Sequence, residues 1–130
     1  MNANKTLAIG CILGALAVMT GAFASHGLKA HLSSYALSII HTGVQYQFWH
    51  ALALVGLGSA MLRFPSRRLG RASLLMIIGT IFFSGSLYGL AITGMKWLGP
   101  VTPIGGVLLI LGWFTAAWSF WRPDTDSVKA

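Results

Sequence analysis

TGVQYQFWHALAL, residues 42–54, decides how the chain is read. It opens a segment of membrane-crossing character, yet Gln45, Gln47 and His50 stand in its first part. Only Ala51–Leu62 is cleanly apolar, too short to cross a hydrocarbon core that needs about 20 residues. A crossing segment at roughly Val44–Leu62 therefore requires those polar side chains to lie inside the membrane or at its edge.

The surrounding chain supports a membrane reading. Hydrophobic residues make up 55% of the 130 and charged residues 8%, against about 25% charged in an ordinary soluble domain. Leu7–Ala24, Ala72–Gly94 and Pro103–Trp121 are three further long apolar runs, almost free of charge. The expected fold is an all-α integral membrane protein. Residues 1–130 form one domain of four transmembrane helices in a bundle, with an amphipathic helix between the first two and a short tail, 122–130. Thr102 is expected to cap the last helix, with Pro103 at its first position.

The net charge of +7 does not mark a nucleic-acid binder, because the cations cluster between apolar blocks instead of interleaving with aromatics. The expected partner is the lipid bilayer, with other membrane proteins or a second copy of the chain beside it. Four spans place Lys5, Arg63, Arg67, Arg68, Arg71, Arg122 and Lys129 on one side and only Lys29 and Lys96 on the other. That asymmetry predicts both termini in the cytoplasm. RFPSRRLGR, at 63–71, reads first as a topology signal and second as a contact for anionic headgroups.

Lys5, the apolar run and Ala22-Phe23-Ala24 imitate a signal peptide. The run is longer than a usual signal core and carries Gly10 and Gly14 at GxxxG spacing. Both features favour a retained, packing helix. The single cysteine, Cys11, has no disulfide partner within the chain and is expected as a small buried side chain.

Between the first two spans, Ser34, Ser38, His41 and Gln45 recur on one helical face beside an apolar row of Leu37, Ile40, Val44 and Phe48. This is the amphipathic helix, lying in the interface or running on into span two. Tyr35, Tyr46 and Trp49 suit interfacial anchoring. The same topology sends His26, Tyr46, Gln47, His50, Tyr88, Thr93, Lys96 and Thr102 toward one outer depth, with Ser84 and Ser86 deeper. The candidate polar site is His26, Gln45, Tyr46, Gln47, His50, Ser84, Ser86, Tyr88 and Lys96.

Spacing argues against several chemistries. His41 and His50 differ by about 900° of helical rotation, which sets them on opposite faces. Asp124 and Asp126 are the only acids, so no carboxylate stands among the spans to complete a metal set or a proton relay. No CxxCH marks haem attachment. No cofactor is expected. There is no set of nucleophile, base and acid, so no enzyme is expected either. The structural use of the polar residues is hydrogen bonding between helices: Tyr46 with His50 and Gln47 with His50 share helical faces, and Ser86 or Tyr88 are candidate partners. Gly85 and Gly89 repeat the GxxxG spacing and are expected to admit a neighbouring helix.

Three stretches carry a resemblance across nearly the whole chain: GAFASHGL at 21–28, TGVQYQFWHALAL, and SGSLYGLAITGMKWLGPVTPIGG at 84–106 followed by LGW. Together they resemble the YgdD-like family of small bacterial inner-membrane proteins, to which transmembrane protein 256 of eukaryotes is similar. Ala24-Ser25 departs from the family's Gly-Ala but preserves small size. The resemblance implies four membrane helices and inner-membrane placement, and it transfers no catalytic residues. The leading expectation is a non-enzymatic accessory or structural component of a membrane assembly. Its rival is a small-molecule, lipid or proton site at the outer face, built on His26 and His50 with Gln47 and Tyr88.

Overall fold

The computed structural model describes residues 1–122, and every element among them is helical. Four helices follow in order: α1 (Ala3–His26), α2 (Ser34–Arg63), α3 (Arg67–Thr93) and α4 (Val101–Trp121). A short 3-10 turn, Lys96–Leu98, precedes α4. The tail at 123–130, with Asp124, Asp126 and Lys129, lies outside the described residues.

Local sequence explains the boundaries. The side chains of Asn2, Ser33 and Ser66 each accept a bond from the backbone N–H three residues on, which caps the starts of α1, α2 and α3. Gly94 ends α3 in the left-handed region at φ 69°, which glycine alone adopts without cost.

α1, α3 and the stretch from Lys96 to Trp121 are long and apolar enough to cross a membrane. α2 is the longest helix at 30 residues but carries the polar residues of the opening stretch. It runs unbroken from Ser34, so residues 34–43 continue into the body of the helix and form no separate interfacial element. Ser34, Ser38, His41 and Gln45 are exposed, whereas Ile40 is buried and Leu37 and Val44 are half-buried; Phe48, expected in the apolar row, faces outward.

The helices form an open row, not a closed bundle: α1 packs on α2, α2 on α3 and α3 on α4. α1 meets α3 only slightly, chiefly where Met1 lies against Gly70. The row curls enough for Trp113 of α4 to reach His50 of α2. Because α1 is covered on one side only, Cys11 is exposed and not buried as expected.

The tight seams are made at glycines. A Cβ at Gly10 would lie 3.0 Å from the Ala51 carbonyl oxygen, so α1 and α2 touch backbone to side chain there. A Cβ at Gly105 would collide with the backbone of Phe83 and lie 2.8 Å from the Gly79 carbonyl oxygen, which brings α4 and α3 together main chain to main chain. Gly85 and Gly89 do not form the expected crossing. Open space surrounds Gly85, and Gly89 faces Leu98 of the 3-10 turn. Thr102 does not cap α4 either. The helix already begins at Val101, and the Thr102 hydroxyl bonds Ser86.

Gly105→Ala should therefore weaken the α3–α4 seam by about 1–3 kcal/mol, since the added methyl meets backbone that has no rotamer to change. Gly85→Ala should be neutral or stabilising by up to about 1 kcal/mol, because it only removes the helical cost of glycine. Thermal midpoints in a mild detergent compare the two variants.

Candidate functional site

Two polar residues of α2 face inward. Gln47 is 6% exposed and His50 5%, one turn apart on the buried side of the helix. A buried amide or imidazole without partners is costly, and both side chains are fully engaged.

Gln47 binds two helices at once. Its Nε2 donates to the Leu13 carbonyl oxygen of α1 at 2.8 Å, and its Oε1 accepts the Tyr88 hydroxyl of α3 at 2.8 Å. Close by, the Ser84 hydroxyl donates to the Gly43 carbonyl oxygen at 2.7 Å. Gly43 is itself a contact point, since a Cβ there would lie 2.6 Å from Cε1 of the Tyr88 ring. The absent side chain at 43 thus leaves the Tyr88 ring its route along α2 to Gln47.

His50 joins α2 to α4. Trp113 Nε1 donates to His50 Nε2 at 3.0 Å, and His50 Nδ1 lies 2.7 Å from the Tyr46 carbonyl oxygen. An indole N–H only donates and a carbonyl only accepts. Nε2 must therefore be the acceptor and Nδ1 the protonated nitrogen, so this geometry fixes one neutral tautomer. The ring stacks on Tyr46 with centroids 6.2 Å apart, and Tyr46 in turn meets Phe83 at 4.4 Å.

Not all the candidate residues come together. Gly58 opposite Leu7, Gly14 opposite Ala51 and Gly21 opposite Val44 fix the antiparallel register of α1 and α2. That register sets His26 level with residues near 39, about 16 Å along the axis from His50 at about 1.5 Å per residue. His26 is exposed at the end of α1, Lys96 is exposed in the 3-10 turn, and Gln45 is exposed on the outer side of α2. The expected common depth is thus corrected: His26 and Lys96 sit at the end of the row, and His50 lies within it. The relative depth of the serines is corrected as well. Ser84 bonds at Gly43, seven positions nearer the start of α2 than His50, so the histidine is deeper than Ser84. Ser86 pairs with Thr102 at 2.7 Å and joins α3 to α4. Among the described residues, no three His, Cys, Asp or Glu side chains gather into a metal-binding set.

Two participants were not singled out as site residues. Trp113 belongs to an α4 whose apolar residues run round the whole helix, so no sequence periodicity marks it. The Leu13 contribution is a backbone carbonyl, which carries no side-chain signal. Thr80 is buried at 2% exposure and its hydroxyl has no partner.

Residues 20–106, which contain Gln47, His50, Ser84 and Tyr88, match the model of DUF423, a protein family of unknown function. The chain belongs to this family. Its relatives include proteins described as UPF0382 membrane proteins. One from Staphylococcus aureus is 45% identical over 105 residues, covering 81% of this chain and 85% of its own. One from Haemophilus influenzae is 38% identical over 120 residues, covering 92% and 95%. The Escherichia coli UPF0382 inner membrane protein YgdD is 38% identical over 113 residues, covering 87% and 86%. No solved structure matches the chain. The resemblance read from the three sequence stretches is thereby established, and the chain is a membrane protein of the YgdD-like kind.

Hydrogen bonds between membrane helices contribute about 0.6 kcal/mol on average and up to about 1.7. Gln47→Leu removes two of them and strands the Tyr88 hydroxyl, so a loss of about 1–3 kcal/mol is expected. Tyr88→Phe alone should cost less, and adding it to Gln47→Leu should recover part of the loss, because it removes the stranded hydroxyl of their shared bond. Unfolding in mixed micelles with increasing denaturing detergent measures all three variants.

Proposed function

We propose that the chain is a four-span protein of the bacterial inner membrane with both termini in the cytoplasm, acting as a non-enzymatic accessory component of a larger membrane assembly. One observation carries the assembly reading. Gly56 on α2 and Gly85 on α3 stand on outward faces with nothing within 4 Å of the position a Cβ would take. A lipid-facing glycine in a helix costs conformational entropy and packs against nothing, whereas small residues are the seats through which membrane helices approach one another. The open row leaves such seats uncovered by the chain itself.

The fate of the polar groups supports the non-enzymatic part. Gln47, His50, Ser84, Ser86 and Tyr88 are all engaged in hydrogen bonds within the row. A substrate would have to break an interhelical bond to reach any of them. The rival reading, a ligand or proton site on His26, His50, Gln47 and Tyr88, loses its basis for the same reason and because His26 stands far from His50.

α2 supports the fourth span. It is long enough, packed between α1 and α3, and its polar groups meet partners inside the row, so hydrocarbon need not solvate them. The seven-to-two distribution of Lys and Arg supports cytoplasmic termini. The name of the E. coli relative supports the inner membrane.

Two measurements follow. Single cysteines placed at Ser66 and at Ser33, in a Cys11→Ala background, should be labelled from opposite sides of sealed vesicles, with position 66 protected from outside in whole cells. Labelling of both from one side would remove the crossing of α2. For the assembly, the protein extracted in mild detergent should migrate with a stable partner or as a homo-oligomer. Gly56→Leu and Gly85→Leu should dissociate that species without lowering the thermal midpoint of the chain; a monomer without partners from the outset would overturn the proposal.

A further inference from the structure

Most polar groups within the row are spent on its own packing, but four cations at its terminal end face outward. Lys5 near the start of α1, Arg63 at the end of α2, and Arg67 and Arg71 in the first turns of α3 are all exposed. The fold brings these ends together: Leu7 packs against Gly58, and Met1 lies on Gly70. Arg68 donates to the Arg122 carbonyl oxygen at 2.7 Å, which ties the end of α4 to the start of α3. Arg122 stacks its guanidinium 5.3 Å over the ring of Trp118.

Among the described residues, no acid stands beside Lys5, Arg63, Arg67 and Arg71 to compensate their charge. The described residues contain no carboxylate side chain. Even if Asp124 and Asp126, the only two acids of the sequence, both paired here, most of the cations would remain in surplus. The starts of α1 and α3 gain nothing from the placement, although Arg63 suits the end of α2. Neither α1 nor α3 has an acid in its first turn, and cations there oppose the helix macrodipole. A topology signal needs the charge count on one side of the membrane but does not need three helix ends to converge on it.

We infer that this end of the row is a docking surface for the headgroups of anionic phospholipids. The occupant is set by position and surroundings. The cations stand at the ends of membrane-length helices, where lipid phosphates lie, and Phe64, Trp118, Phe120 and Trp121 are exposed among them. Indole rings prefer that interfacial depth. Guanidinium groups bind phosphate oxygens bidentately, and basic side chains near an anionic leaflet each add to the attraction. Arg63, Arg67 and Arg71 supply the phosphate contacts, and the aromatic end of α4 seats beside the acyl chains. The opposite end, with Lys29 and Lys96 alone, has no comparable surface.

The test uses the purified full chain in an uncharged detergent. Phosphatidylglycerol, phosphatidylcholine and inorganic phosphate are added at matched concentrations. Thermal midpoint and retained lipid in native mass spectrometry are then read. Phosphatidylglycerol should raise the midpoint and remain bound, and the other two should do neither. The variant Arg63→Gln/Arg67→Gln/Arg71→Gln should weaken that binding by at least about tenfold, while Lys29→Gln/Lys96→Gln leaves it unchanged. If the triple variant proves unstable, wild-type protein decides alone: raising the salt from low to high should abolish the preference for phosphatidylglycerol. Equal binding of both lipids, a salt-independent preference or an unaffected triple variant overturns the proposal. An equal response to inorganic phosphate also does so, since it marks a free-anion site in place of a headgroup surface.

Discussion

The arrangement depends on one amide. Gln47 offers a donor and an acceptor on opposite sides, and the fold uses the donor for α1 and the acceptor for α3. At 6% exposure neither group has water to fall back on, so the buried amide is stable only while both neighbours stay in register. The same restriction acts one turn along, where His50 needs Trp113 and the Tyr46 carbonyl together. α2 is thus the hub of the row, and its lower hydropathy follows from that position. It exchanges apolar character for directional bonds that plain van der Waals packing does not provide.

Glycine sets the distance at which those bonds form. At Gly43 the missing side chain lets the Tyr88 ring lie along α2, and at Gly105 it lets α4 rest on the main chain of α3. Polar bonds fix rotation and register; small residues fix separation. The two devices alternate along the row, since the α3–α4 seam also carries the Ser86–Thr102 and Ser66–Ser119 hydroxyl pairs.

Much of this was legible in the sequence, for identifiable reasons. Long apolar runs report α1, α3 and α4, because a bilayer enforces length and composition. Tyr88 was readable as one candidate partner for the polar residues of α2, since a buried amide demands a partner, whereas Ser86, the other candidate, bonds Thr102 instead. Other features were hidden by geometry. GxxxG spacing is the same whether a glycine faces a helix, as at Gly10, or open space, as at Gly85. The partner of His50 could not be read because it depends on the curl of the row, a tertiary property without a local signature. His26 was misplaced in depth because loop membership fixes which end a residue approaches, not how far its helix partner extends. Thr102 met a competing use for its hydroxyl that only the packed α3–α4 pair creates.

The row has a kinetic meaning as well. Its seams join elements adjacent in the chain, so a first hairpin of α1 and α2 and a second of α3 and α4 each close over short sequence separations, which carries a small entropic cost. Each hairpin is able to assemble once both of its arms are made. The bond from Trp113 to His50 spans 63 positions and reaches from the second hairpin back to the first. It ties the two hairpins together over a longer separation than the Gln47–Tyr88 bond, which joins them across 41 positions.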